Sequence, residues 1–500
     1  MWAPGAKAPF QDAAVIDVGS NSVRLVLYRL DGRAIWTVFN EKVLAGLGRD
    51  LPKTGRLSPE GVKTALAALR RFRAVIEAAG ISHVFAGATA AVREAADGPA
   101  FIDRIRTETG LKVRVLSGDE EARFSALGVA AGQPDADGVV ADLGGSSLEL
   151  IALHKGEPGA GVTLPLGPLA LGAPGPLDVD AVRQAGAEAF APVAERFRAR
   201  RLYAVGGAWR NLALLHMQIH GYGLRVVHQY EMTAREALEV AHFVTHQSRG
   251  SLERIEGLSK KRLETLPYAG VVLEQLIHSL GIERVIASAY GLREGLLFDA
   301  MDPRLRALDP LLEGCAALGA RFGIAEQLGP VLQTWLTPLW ERLDPVFGRE
   351  REALLMAAAC RMSDIGARLH PDHRAELVFD QVLRAPIAGQ THAERAFLAI
   401  ALFARHTTRD THPNPEIVDR LLDAPAIRRA RVLGAAVRVG CDLSGRSPSL
   451  LKGSSLTLEK GAVVLTAPKG AGDLLVGEQT AKRLSQLAAL LDLEPKIRNG

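Results

Sequence analysis

The chain has 500 residues, 48% of them hydrophobic and 23% charged, a composition that builds a large buried core, excludes intrinsic disorder and leaves room for three or four structural units. Sixty Lys and Arg stand against 56 Asp and Glu, for a net charge of +4, and aromatic residues make up only 5%. An anionic ligand is permitted, but neither a general basic field nor aromatic stacking on bases is available, so no nucleic-acid partner is expected.

The first predicted elements lie in AAVIDVGSNSVRLVLYRLDGR, which reads as strand, tight polar turn and strand, the second ending near Asp31-Gly32. Residues 60–79 place Val62, Leu66, Leu69, Phe72 and Ile76 on one helical face, and a strand over 83–89, a helix over 98–109 and a strand over 111–117 follow. This alternation predicts an α/β domain. The opening then repeats: DVGSNSVRLVLY at 17–28 aligns without a gap on DLGGSSLELIAL at 142–153, matching Asp17 to Asp142, Gly19 to Gly144 and Ser22 to Ser147. Two Asp-x-Gly hairpins separated in this way predict a duplicated domain with a cleft between its halves. The second copy continues with a helix over 178–198, the strand 201–207, and a helix beginning near Trp209. A helix capped by Thr233 ahead of Glu236, another over 266–279 and the strand 283–291 complete it. Residues 304–426 read as nearly all helix, and the tail combines a helix over 427–437, the hairpin SLTLEKGAVVLTAP and a helix over 479–492. The expected domains are 1–130, 131–300, 304–426 and 427–500.

Cys315, Cys360 and Cys441 are isolated and odd in number, which suits a reducing compartment better than a disulfide framework. MWAPGAKAPFQDA lacks the apolar core of a signal peptide, and no apolar run is long enough to span a bilayer. The expectation is a cytoplasmic protein with no membrane partner.

The chemistry concentrates in glycine turns. In Asp17-Val18-Gly19-Ser20-Asn21-Ser22, Gly19 allows a tight bend and the amides and hydroxyls of Ser20, Asn21 and Ser22 can converge on an anion. Asp17 repels phosphate but suits Mg²⁺. Asp142-Leu143-Gly144-Gly145-Ser146-Ser147 offers the same set, and two such loops across a cleft make a phosphate clamp around a metal, although ordinary hairpins use the same residues. Gly206 and Gly207 form a third turn where a strand meets a helix, with Trp209 and Arg210 expected at its entrance. In SGDEEARFSALGV, Ser117 caps a helix carrying Glu120 and Glu121 in its first turn; either serves the helix dipole or projects a general base into the cleft. Glu149 is a further candidate whose facing the intervening turn leaves open. Arg293 suits phosphate or a neighbouring carboxylate, and Arg254, Lys260, Lys261 and Arg262 suit either a polyanion path or a solvated basic face.

The segments AVIDVGSNSVRLVL, GATAAVREA, VLSGDEEARFSALGV, VVADLGGSSLEL, YAVGG and SAYGLREG, in this order across about 300 residues, resemble the exopolyphosphatase / guanosine pentaphosphate phosphatase (Ppx/GppA) family. That resemblance implies duplicated ribonuclease H-like lobes of the actin, sugar kinase and heat-shock ATPase superfamily, followed by a helical domain and a small α+β tail. It also implies Glu121 as the base that activates water, Asp17 and Asp142 with Glu149 at the metal, and Arg93 on phosphate near the reaction centre. Ser20, Asn21, Ser22, Gly144, Gly145 and Ser146 match its phosphate clamps. Its implied cofactors are Mg²⁺ and a monovalent cation such as K⁺. The implied substrate is inorganic polyphosphate, with guanosine pentaphosphate as the alternative, and the implied assembly is a homodimer. An actin-like nucleotide-dependent structural protein is the alternative of a different class. Two departures stand out: the third turn has Ala208-Trp209 where a hydroxyl is usual, and Ser363-Asp364 falls where longer relatives resemble metal phosphohydrolases with a His-Asp doublet. The second predicts a lost metal site, with His370, His373, His392 and His406 nearby.

Overall fold

Val15, Ile16 and Val18 of the strand Asp12–Val18 (β1) are buried, as are Leu25, Val26 and Leu27 of Val23–Asp31 (β2). Aliphatic runs without polar alternation form strands covered on both faces. β1 pairs antiparallel with β2, β2 antiparallel with Ala34–Val43 (β3), and β1 parallel with His83–Ala88 (β4), beside which lies the short Arg114–Val115 (β5). The parallel step from β1 to β4 requires a crossover. The helix Pro59–Ala78 supplies it and buries Leu66, Leu69, Phe72 and Ile76, with Val62 half-buried at the margin. The computed structural model described here covers residues 11–255, 263–468, 470 and 472–499.

A second sheet repeats the first. Gly138–Leu143 (β6), Leu148–His154 (β7) and Glu157–Leu164 (β8) form an antiparallel meander, and β6 pairs parallel with Arg201–Val205 (β9). Tyr230–Thr233 (β10) and Arg284–Ala287 (β11) extend it, so the sheet orders are β3-β2-β1-β4-β5 and β10-β11-β9-β6-β7-β8. The predicted duplication is therefore present, with each hairpin lengthened to three strands. The sequence hides the third strands for physical reasons. Beside β3 the register shifts at Leu27/Tyr28, breaking the alternation, while EPGAGVTL of β8 carries Pro and Gly, which have low strand propensity but are tolerated at a sheet edge. The strand expected over 111–117 shrinks to β5.

The chain divides between Ala307 and Leu308 into two compact units. The second is helical, built on Pro310–Arg321, Leu328–Trp340, Arg349–Arg361, Arg374–Arg384, His392–His406 and Ala424–Ser444. The last of these runs well beyond the predicted 427–437, from an Asp423 cap to a left-handed Gly445. Ser455–Glu459 (β12) and Ala462–Ala467 (β13) form the predicted hairpin, and the helix Glu478–Leu490 delivers a parallel third strand, Glu494–Asn499 (β14). All six β14 side chains are exposed, so hydropathy gave no sign of it.

Asp364 lies between Arg446, at 2.7 Å, and Arg405, at 3.4 Å. Burial and the charges of Arg405, Arg374, Arg438 and Arg446 hold the His406 imidazole down to about 3, which keeps it neutral. His370 and His373 are exposed and His392 is buried at the start of its helix. The three cysteines are free and buried. Among the described residues, no helix is long and apolar enough to cross a membrane.

Candidate active site

The two polar turns are built alike. Gly19 N–H donates to Ser22 O at 3.0 Å, and Gly144 N–H to Ser147 O at 2.9 Å. The carbonyls of Ser20 and Asn21 accept from Gly48 and Gly46, and those of Gly145 and Ser146 from Leu169 and Gly167. In a trans peptide N–H and C=O point in opposite directions. Tying these carbonyls to flanking loops therefore turns the amides of Asn21, Ser22, Ser146 and Ser147 the other way, and a set of convergent amides is an anion site. The turns meet at Gly145, where a Cβ would come within 3.0 Å of the Ser20 Cβ, so the close approach needs glycine.

Between the lobes lies a cleft of about 220 Å³ lined by Asp17, Asp142, Glu121 and Glu149. Strand register explains their convergence: Asp17 on β1 faces Arg24 on β2, and Asp142 on β6 faces Glu149 on β7. Direct cross-strand partners share a sheet face, so Glu149 points with Asp142. The helix Gly118–Gly132 separates its two glutamates. Glu120 closes a capping box with Ser117, while Glu121, one residue on, is 6% exposed and reaches the cleft.

Burial of like charges dominates the electrostatics. Burial raises the Asp17 carboxyl, opposed by Arg293 and Arg24. It pushes Asp142 up to about 6, against a 2.5 Å hydrogen bond from Ser125 Oγ and with help from the charge of Asp17. Glu121 is pushed up to about 8 by burial; Arg93 opposes this, and Asp142 and Asp17 add to it. Glu149 stands well above the usual carboxylate range through burial and its neighbours Glu121 and Asp142, and its Oε1 has no hydrogen-bond partner among the described residues. Such a group suits a cation. Among the described residues no three His, Cys, Asp or Glu side chains form a ready-made ligand cage, so a metal such as Mg²⁺ would have to be held through one or two carboxylates and its own waters.

With this geometry in place, two family profiles account for most of the chain: the Ppx/GppA phosphatase family over residues 26–304 and the exopolyphosphatase C-terminal region over 343–495. The chain belongs to the Ppx/GppA phosphatase family. It is 27% identical to exopolyphosphatase 1 of Mycobacterium tuberculosis over 319 residues, 61% of this chain and 90% of that one. Among solved structures, an exopolyphosphatase-like protein superposes with TM-score 0.52 at 26% identity, over 59% of this chain and 99% of that one. An exopolyphosphatase from Cytophaga hutchinsonii shares the fold, with TM-score 0.54 at 24% identity, over 58% and 97% of the two chains.

The remaining expected site residues are placed as follows. Arg93 is not part of the cleft lining; its guanidinium grips the Glu121 carboxylate and the Leu116 carbonyl. It therefore acts on Glu121 directly. Arg93→Met should raise the Glu121 carboxyl further and, if Glu121 serves as the base, move the acid limb of the kcat/KM profile to higher pH by about 1–3 pH units, because an opposite charge at contact distance shifts a carboxyl by that much. A pH–rate profile checks this. Ser146 is not part of the lining and its carbonyl accepts from Gly167 N–H, while the residue of that turn that lines the cleft with a side chain is Ser147. Gly206, at φ 109°, would place a Cβ 2.6 Å from Leu143 O, so the third turn also requires glycine. Arg293 lines the cleft, whereas Glu294 turns away to accept from Tyr28 Oη at 2.5 Å and Gly291 N–H at 3.0 Å. Arg254 is exposed after the short helix Arg249–Glu253 and does not line the cleft, and Lys260, Lys261 and Arg262 lie outside the described residues.

One expectation is corrected. Trp209 does not stand at the entrance of the third turn. It is 2% exposed in the core of the second lobe and donates its indole N–H to Ala269 O at 3.0 Å. Successive helix residues point about 100° apart, so in the helix Gly207–Ile219 Trp209 turns inward and Arg210 to the cleft. Trp209→Phe should leave the ratio of polyphosphate to guanosine pentaphosphate hydrolysis unchanged, while Trp209→Ala should cost about 3–5 kcal/mol of stability, as paired activity assays and denaturant melts will show.

Sequence reasoning missed two cations on the cleft, Arg24 and Lys42, whereas Arg210, expected at the entrance of the third turn, does line it. Arg24 was discoverable, because its offset from Asp17 is that of Glu149 from Asp142. Lys42 faces Arg24 across β3, which the sequence did not reveal.

Proposed function

We propose that this Ppx/GppA phosphatase is an exopolyphosphatase that releases terminal orthophosphate from inorganic polyphosphate. The observation that carries this reading is the cleft lining: Arg24, Lys42, Arg210 and Arg293 supply four cations, and among the described residues it contains no Trp, Tyr or Phe. A chain of phosphates is held by repeated point charges, whereas a guanine base favours a stacking surface.

In this reading the turn amides of Asn21, Ser22, Ser146 and Ser147 cradle the terminal phosphate. Glu121 takes a proton from water as the water oxygen attacks phosphorus in line, and the bond to the bridging oxygen breaks, leaving the shortened chain with the negative charge. Burial suits Glu121 to this task, since a base with a pKa near the working pH combines an ionised fraction with a strong pull on the proton. Arg93 positions the Glu121 carboxylate. Asp17 and Asp142, with Glu149 beside them, would hold Mg²⁺, which when bound neutralises charge on the terminal phosphate. The helical unit is read as the platform of a homodimer.

The test is phosphate release measured side by side from long-chain polyphosphate and guanosine pentaphosphate. Faster turnover of the polymer is expected. Release from the nucleotide alone would assign the same cleft to guanosine pentaphosphate hydrolysis, and nucleotide-dependent filaments without phosphate release from either would point to an actin-like structural role.

A further inference from the structure

The second unit contains a cavity of about 260 Å³ that shares no residue with the cleft of the first. Three segments wall it: the end of His392–His406 with the loop after it, the middle of Ala424–Ser444, and Glu478–Leu490. Arg431, Ala435 and Arg438 fall at helical spacing on one wall, and Arg483, Gln486 and Leu490 on another, so two helices turn matching faces toward the space.

Its charges are incompletely compensated. Arg431 is bound to the Asp410 carboxylate at 2.8 Å, and Arg483 to Asp442 at 3.1 Å and to Gln486 Oε1 at 3.1 Å. Arg438 differs: its Nη1 is buried and has no hydrogen-bond partner among the described residues. Burial, and then the like charges of Arg483 and Arg405, lower its pKa to about 10. Leaving a buried guanidinium nitrogen without an acceptor is costly. Arg438 itself lines the cavity next to a second arginine, Arg483, and a guanidinium so placed is prepared for an anion.

The other lining groups define that anion. Thr407 Oγ1 already accepts from Arg409, so its own proton remains to donate. A guanidinium fork beside hydroxyl donors matches the oxygens of phosphate. Ala404, Ala435 and Leu490 give the rest of the wall an apolar character. The volume is near the lower end of small-ligand pockets, about 300–1,000 Å³, and well beyond the roughly 30 Å³ that one water occupies in the liquid. We propose that this cavity binds a small phosphomonoester, with its phosphate on Arg438 and its apolar body against Ala404, Ala435 and Leu490.

Phenyl phosphate is a suitable probe, and hydrogen exchange of the full chain localises its binding. In the wild type, amides over 404–410 and 483–490 should exchange more slowly with the probe present. Arg438→Met, which keeps the stem but removes the charge, should abolish that protection and raise Tm in the absence of probe by relieving a buried unpaired cation. Arg438→Lys, which keeps the charge but not the fork, should weaken probe binding about tenfold, the loss of one good contact. Phenol should give no protection, and inorganic phosphate less than phenyl phosphate. The proposal is overturned if the wild type shows no local protection, if Arg438→Met retains it or melts lower without probe, if Arg438→Lys binds as tightly as the wild type, or if phenol or inorganic phosphate protects as well as phenyl phosphate.

Discussion

Glu121→Gln should lower kcat by about 10²–10⁴-fold, the range spanned by loss of a positioned general base, with little change in polyphosphate binding. Gln nearly matches the volume of Glu and keeps one acceptor for Arg93, so the pocket is preserved while the proton acceptor is lost. The wild-type profile provides an independent check. Burial pushes the Glu121 carboxyl up to about 8, and the base works only when ionised. Activity of the free enzyme should therefore fall as pH drops through that region, and the limb should vanish in the variant. Steady-state phosphate release across pH, paired with direct polyphosphate binding, measures both. Near-normal kcat in the variant would move the base to Glu149, the neighbouring cleft carboxylate; Glu120 is already committed to its cap.

Asp142→Asn should both slow turnover and raise the Mg²⁺ concentration needed for half-maximal activity. Removing one fixed charge-stabilising group typically costs about 10²–10³-fold in kcat. The same substitution should stabilise the metal-free protein at neutral pH. Asp142 is raised from its ordinary 3.8 to about 6, so its contribution to stability is full below the lower value and is lost as pH rises through the upper one. An uncharged Asn escapes that loss. Thermal melts in chelator, set beside Mg²⁺ titrations of activity, separate the two effects. A variant with unchanged metal dependence would remove Asp142 from the metal.

The hairpins around Asp17 and Asp142 were legible because aliphatic runs flank a Gly/Ser turn twice in the same order, and the structure bears that duplication out through the two meanders and their parallel neighbours. What stayed hidden depended on register or on orientation. The facing of Glu149 follows from its pairing with Asp142, which no count of residues across a turn can supply. Glu120 and Glu121 look equivalent in sequence, and only the cap separates them. Trp209 was misplaced because a residue beside a glycine turn was assumed to face the ligand, when the helix it enters rotates it into the core. Lys42 belongs to a strand whose pairing shifts register at Leu27/Tyr28, and β14 has no buried side chain to betray it.

The pairing of Asp17 with Arg24 and of Asp142 with Glu149 has a consequence for direction. The two halves of the cleft repeat each other in backbone but oppose each other in sign at one equivalent position. A linear polyphosphate is itself the same read from either end, so it brings no polarity to the encounter. On the exopolyphosphatase reading proposed above, the protein would supply it, with the carboxylates of Asp142 and Glu149 on one side of the cleft and the cations Arg24 and Lys42 on the other. On that reading, one difference of charge between two otherwise matching hairpins would be enough to turn a symmetric cradle into a one-way path.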